Sequence, residues 1–567
     1  MSLITSAALR HLIDADSEFT RMTKQICNRR GLLQTMATGS LAFLFSPSGL
    51  TQTHAVQAQR KLLGFEPVLA NSRDTLTLPP GYRWSVLMAW GDPVLSDALP
   101  FDPQSRGSAA SQMLAMGDNN DGMSLFSLTH DHAVIAVNNE YTNYEYLFPS
   151  GRCASLEDVR KAQAAHGVTV FELRREGDQW RAQPGAPLNR RITANTPMRL
   201  SGPAAGHPWL RTANDPLGTH VLGTFSNCAN GKTPWGTYLT CEENFNGYFG
   251  TVASFTPGRA HKRYGLNSKD AGYSWHLFDS RFDLALNPNE SNRFGWVVEV
   301  DPFNPKSVPI KRTALGRFKH ENACVVLNRD GHVVVYMGDD ERGEHLYKFV
   351  SHGRYDPHQS ATNRQLLDEG TLYVARFDAP SSHLRGQGQW LELTYGKNGL
   401  TSEAGFASQA EVLIHTRLAA TVVGATTMDR PEWVAAHPNR AEVYVTLTNN
   451  VERGVKASQP LNGPNSRAKN IYGQIVRWRP YQDDHTHSHF DWDMFVMAGN
   501  PAVHEGDMAG TANITPANMF NSPDGLAFDA AGRLWIQTDG DYSDTNNFVG
   551  MGNNQMLCAD PTSGEIR

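Results

Sequence analysis

The sequence predicts an all-β protein, a propeller-like radial array with inserted helices and loops, and three observations predict it. Glycine and proline are frequent (49 and 31 of 567 residues) and punctuate short apolar runs. Few stretches hold a helical period. Five strands also share one plan: a turn, an apolar strand and a polar cluster. Their polar ends recur roughly every 100 residues, near Asn139, Glu242, Asp340, Asn449 and Asp539. One such strand per unit suits propeller blades, whose equivalent strand ends face a common axis, with long loops stretching the usual repeat of about 40–50 residues.

In chain order, the first feature is an address. In "NRRGLLQTMATGSLAFLFS" (28–46), Arg29 and Arg30 precede a short uncharged stretch rich in Gly, Ser and Thr. "HAVQA" (54–58) follows, with small residues at Val56 and Ala58 that suit a signal peptidase. The pattern predicts a twin-arginine signal over 1–58, export of the folded protein by the twin-arginine machinery, and a periplasmic or secreted location in a bacterium. An ordinary amphipathic helix is the competing reading. Residues 59–567 are then one domain. No apolar run approaches the length of about 18 residues that spans a bilayer, so no permanent membrane anchor is expected.

The five strands follow as "HDHAVIAVNNEYTN" (130–143), "TPWGTYLTCEENFN" (233–246), "RDGHVVVYMGDDER" (329–342), "NRAEVYVTLTNNVE" (439–452) and "AAGRLWIQTDGDYS" (530–543). Between the first two, "SLEDVRKAQAAHG" (155–167) has a serine cap and a glycine stop, which predicts an inserted helix. Any one polar end reads equally well as a turn. Five that converge, several with two carboxylates, would repel one another unless a cation sat among them, and hard oxygen donors suit Ca²⁺.

Three loops break the strand pattern: "GRFKHENACVV" (316–326) with His320 and Glu321, "TTMDRPEWVAAHP" (426–438) with Arg430 between Asp429 and Glu432, and "FNSPDGLAFDAAGRLW" (520–535) with Asp524. Six cysteines are scattered without CxxC pairing, which excludes a disulfide scaffold but leaves one or two bridges open. Cys241 stands out because Glu242 and Glu243 follow it directly. The net charge of −6 carries no basic footprint for nucleic acid.

"LTCEENFNGYFG", "KHENA", "MGDDERGEHLYKFV", "MDRPEW" and "NSPDGLAFD", behind a twin-arginine leader, resemble the PhoX family of alkaline phosphatases. The similarity runs from about residue 75 to the last residue. It implies a six-bladed β-propeller whose site holds two ferric irons and three calciums around a bridging oxygen, the nucleophile that cleaves phosphate monoesters. Cys241 would be the thiolate ligand of the irons, since ferric iron accepts sulfur and calcium does not. The resemblance assigns Glu321, Glu432, Asp524 and Asn120 as further ligands and Arg430 as the phosphate clamp. By position, Glu140 and Glu242 join as calcium ligands. Most histidines, His320 and His345 included, are expected to be structural, and the protein is expected to be a monomer. The family continues past "MLCADPTSGEIR" with a segment that closes the propeller, so this chain reads as C-terminally truncated. Two alternatives stay open: a calcium-only propeller hydrolase of lactonase or phytase type, and a non-catalytic calcium-binding propeller.

Overall fold

The structure, a computed structural model, describes residues 62–380, 384–540 and 543–567. The signal expected at 1–58 lies outside the described residues. Among them, no helix is long and apolar enough to cross a membrane, and Cys153, Cys228, Cys241, Cys324 and Cys558 are free thiols.

Strands dominate, as predicted. The first sheet holds β1 (Asn120–Ser127), β2 (His132–Asn139), β3 (Gly167–Glu176) and β4 (Gln179–Ala182) in that order, with β5 (Arg190–Ile192) against β3. The second contains β6 (Pro197–Ser201), β7 (His220–Leu222), β8 (Asn227–Lys232), β9 (Tyr238–Glu242), β10 (Val297–Val300) and β11 (Ile310–Arg312), with β8 at one edge. The third runs from β12 (Cys324–Leu327) through β13 (His332–Gly338), β14 (Leu346–Arg354), β15 (Gly370–Phe377) and β16 (Arg385–Glu392). There it joins β20 (His489–Met497), and continues through β19 (Gln474–Pro480) and β18 (Val443–Leu447) to β17 (Pro431–Ala436). All nine strands form one continuous sheet. The last sheet is β21 (Pro523–Phe528), β22 (Leu534–Thr538) and β23 (Met556–Ala559).

The central strands read as near-continuous apolar runs because both faces are buried. On β2, Val134 and Ala136 enter one core, while Ala133, Ile135 and Val137 enter another. On β13, Val333, Val335 and Met337 face one core, and Val334 and Tyr336 the next. The first three sheets are therefore sandwiched between apolar layers, and the period-two alternation of a strand decides which layer a side chain joins.

The predicted helix forms as α1 (Leu156–Ala165), with the Ser155 side chain accepting from the Asp158 amide. It is no loose insertion: Val159, Ala162 and Ala165 belong to the first core.

Five inner hairpins (β1–β2, β8–β9, β12–β13, β17–β18 and β21–β22) position the site. Their strands pack side by side in chain order, β8 beside β1 and β12, and β17 beside β12, β13 and β21. The approach is close enough to require glycine. A Cβ on Gly122 of β1 would press on the Ala229 backbone of β8, and one on Gly338 of β13 would overlap the Pro431 and Glu432 carbonyls of β17.

Candidate metal centre

Every inner hairpin ends the same way. The last paired residues are Asn120 with Asn139, Asn227 with Glu242, His320 with Asp339, Pro431 with Leu447, and Pro523 with Thr538. One residue further along the first strand stand Asp121, Cys228, Glu321, Glu432 and Asp524. Beyond the second strand stand Glu140, Glu243, Asp340 and Asp539 in four of the five. In four hairpins the register shifts immediately after the terminal pair. Such a bulge bends the strand and re-aims one side chain, and here the re-aimed residue bears a carboxylate or thiol.

These groups converge. One possible ligand atom from each of Asp121, Glu140 and Cys228 lies within 4.8 Å of the others, and the same holds for Cys228, Glu243 and Glu321, and for Glu321, Glu432 and Asp524. Cys228 and Glu321 each belong to two groups, which joins the three into one chain of donors. The Cys228 thiol donates to Glu321 Oε1 at 3.0 Å.

The electrostatics are those of mutually repelling buried carboxylates. Burial, then the Glu432, Asp524 and Glu243 carboxylates, pushes Glu321 well above the usual carboxylate range. Glu140, Glu243, Glu432 and Asp524 are raised in the same way. Glu321 Oε2 is buried without a hydrogen-bond partner. A buried carboxylate oxygen is costly to leave unpaired, so a cation fits here on physical grounds alone.

Of the residues singled out in the sequence, the structure brings Glu140, Glu321, Glu432 and Asp524 together. Cys241 it does not. Cys241 shares its face of β9 with Leu239 and packs in the apolar layer with Val297 and Phe318. Burial, then Glu242, raises its thiol far above the normal value. Glu242 is also elsewhere: one oxygen accepts from Lys311 Nζ at 2.6 Å, and the other from the Gly295 and Trp296 amides at 3.0 and 3.1 Å. Lys311 and Glu242 are fully buried, a structural ion pair. The acid that reaches the cluster is Glu243, just past the strand, and the thiol is Cys228 on the neighbouring strand. Asn120 sits at the rim, its Oδ1 accepting from Asn139 Nδ2 at 2.8 Å, while Asp121 points inward.

Arg430 borders the cluster with φ +56°, in the left-handed region. Its Nε and Nη2 form a fork to Asp340, both at 2.8 Å, and Nη2 reaches Glu432 at 2.9 Å. Burial opposes its charge, but Glu432 and Asp340 outweigh burial and hold the guanidinium firmly protonated. His320 and His345, read as structural from the sequence, are both buried. Their ring nitrogens meet the Gly316 and Thr426 carbonyls, and burial lowers each to about 3.

The chain matches the family model of alkaline phosphatase PhoX over residues 63–567. It belongs to the PhoX family. Among solved structures it is similar to Pseudomonas fluorescens PhoX in complex with vanadate, a transition state analogue, at 59% identity and a TM-score of 0.88, with 89% of each chain covered. The Pseudomonas aeruginosa periplasmic gluconolactonase PpgL, at 10% identity and a TM-score of 0.26, is too distant to carry an argument. No curated protein matches the chain. As a PhoX alkaline phosphatase, the protein hydrolyses phosphate monoesters.

Asp121, Cys228 and Glu243 are clustered donors that sequence reasoning missed. A signal for Cys228 existed. "NNDG", "SNCAN", "HENA", "RPEW" and "SPDG" each open an inner hairpin with the donor in second or third place. Aligning the first strands, and not only the second strands' polar ends, would have picked Cys228 over Cys241.

Proposed function

We propose that this PhoX phosphatase works with iron and calcium held by the inner-hairpin donors, in a six-bladed propeller exported as a monomer to the periplasm by the twin-arginine machinery. The observation that carries the metal reading is the buried, self-repelling cluster in which a thiol stands among carboxylates. Cys228 with Glu321 and Glu243 is the mixed sulfur and oxygen set that suits ferric iron, and Asp121, Glu140, Glu432 and Asp524 are the hard donors that suit Ca²⁺. When bound, the ions supply the concentrated positive charge that a phosphomonoester dianion requires and activate the attacking oxygen.

The chain's own residues bind and orient the ester. Arg430 keeps its Nε/Nη2 edge on Asp340 and Glu432, and among the described residues nothing engages Nη1. That leaves a charged donor of fixed direction for a phosphate oxygen, on a side chain a quarter exposed. Asp340 sets the plane of the guanidinium before substrate arrives, so little reorganisation is needed as charge moves onto the phosphoryl oxygens. The vanadate complex of the similar Pseudomonas fluorescens protein, a complex with a transition state analogue, supports a site that receives the transferring phosphoryl group.

The test is elemental analysis for Fe and Ca together with phosphomonoester hydrolysis at alkaline pH, on the full chain and on Cys228→Ala, Cys241→Ala and Arg430→Lys. Cys228→Ala should lose iron and activity together, and Cys241→Ala should keep both. Arg430→Lys should keep its metals and lose roughly 10²–10³ in kcat/KM, the usual cost of one transition-state donor. Iron retained in Cys228→Ala, or iron absent from active wild type, would overturn the iron reading. Unchanged kinetics in Arg430→Lys would remove it from substrate binding.

A further inference from the structure

Arg430 holds an unfavourable backbone conformation, and something must maintain it. A non-glycine residue at φ +56° is strained and persists only where its surroundings over-determine it. Pro431 restricts the same residue from the other side.

The over-determination comes from directly behind it. Asp429 is fully buried, and three side chains converge on its carboxylate: Arg453 Nε at 2.6 Å and Asn450 Nδ2 at 2.8 Å on Oδ1, and Asn470 Nδ2 at 3.0 Å on Oδ2. Arg453, itself fully buried, spends its remaining donors on the same turn and its neighbour, Nη2 on the Thr427 carbonyl at 2.9 Å and Nη1 on the Pro460 carbonyl at 2.8 Å. Backbone contacts pin both flanks: Asp429 bridges Arg342, and the Arg430 carbonyl accepts from the Thr448 amide at 3.1 Å. With the turn held from behind and the guanidinium held in front by Asp340, the direction of Nη1 has almost no freedom left.

We infer that Arg453, through its buried ion pair with Asp429, is a positioning residue for phosphate binding, acting on substrate only by way of Arg430. This rests on the substrate-binding role proposed for Arg430 above. Arg453 touches none of the clustered metal-donor residues, so its loss should leave metal content intact. Arg453→Lys keeps the charge but cannot supply donors to Asp429, Thr427 and Pro460 together.

The experiment is a double-mutant cycle on the metal-loaded enzyme with Arg453→Lys and Arg430→Lys, read by kcat and KM for p-nitrophenyl phosphate, inhibition by vanadate, Fe and Ca content, and melting temperature. Arg453→Lys should weaken vanadate inhibition and lower kcat/KM by at least tenfold at unchanged metal content. Added to Arg430→Lys, it should cost almost nothing more, because both act through one guanidinium. Independent, multiplying losses, or a loss that tracks metal content, would reduce Arg453 to a structural residue and overturn the inference while leaving Arg430 in its role. A kinetically silent Arg430→Lys would instead overturn that role, and the inference with it. If Arg453→Lys does not fold, Asn450→Ser, which removes one donor from Asp429, takes its place in the same cycle under the same criteria.

Discussion

Two cysteines 13 positions apart show how one residue type takes opposite parts according to where its side chain points. Cys241 lies near the end of β9 in an apolar layer, where a hydroxyl would be buried among apolar groups. Cys241→Ser should therefore lose about 1–3 kcal/mol of stability, seen in denaturant unfolding, while the folded enzyme keeps its specific activity. Glu242 belongs to the same structural class. Lys311→Met would leave its carboxylate charged and unpaired in the core, at a cost of about 3–5 kcal/mol, or no soluble protein at all. A Lys311→Met protein as stable as wild type would show that this ion pair contributes nothing to the fold.

At the scale of elements, the working unit is the inner hairpin with its terminal bulge. A regular strand sends alternate side chains to opposite apolar layers, so neither parity points along the strand toward the hairpin ends. The bulge after Asn120, Asn227, Pro431 and Pro523 breaks that alternation and frees the next residue to face its counterparts. Neighbouring hairpins must also stand close. Gly338→Ala would drive a methyl into the Pro431 and Glu432 carbonyls, which are backbone and cannot swing aside. The variant should displace Glu432, lower the melting temperature by several degrees and reduce bound metal, measurable by calorimetry and elemental analysis. Retained metal stoichiometry would mean that the hairpin spacing is slack.

For the molecule as a whole, the acidic centre couples stability to pH in a direction opposite to most surface carboxylates. Glu140, Glu243, Glu321, Glu432 and Asp524 are raised above their ordinary values in the metal-free fold, so that fold binds protons more tightly than the unfolded chain does. Their favourable contribution is complete below the ordinary carboxylate range near 4.5 and is lost as pH rises through the folded values. Chelated protein should therefore lose melting temperature progressively as pH rises above the ordinary carboxylate range, relative to the metal-loaded form, and added metal should restore it most at the alkaline end. A chelator effect independent of pH would mean that the cluster is not what the ions neutralise.

Much of this was legible in the residues alone. Apolar runs between glycine-rich turns specify strands, because burial on both faces demands them. Glu321, Glu432 and Asp524 were marked by the family resemblance that "HENA", "RPEW" and "SPDG" carry; alone, "HENA" and "SPDG" read as ordinary turns. Which glutamate belongs with the cluster was decided only by the tertiary structure. Glu242 against Glu243 turns on where β9 stops, and Cys241 against Cys228 on which strand of the hairpin carries the bulge. A shift of one residue exchanges the two faces of a strand, and the pairing partners and bulges that set the phase lie far away in the chain. Convergence is likewise a property of five hairpins packed together, each contributing donors that mean little until the others stand beside them.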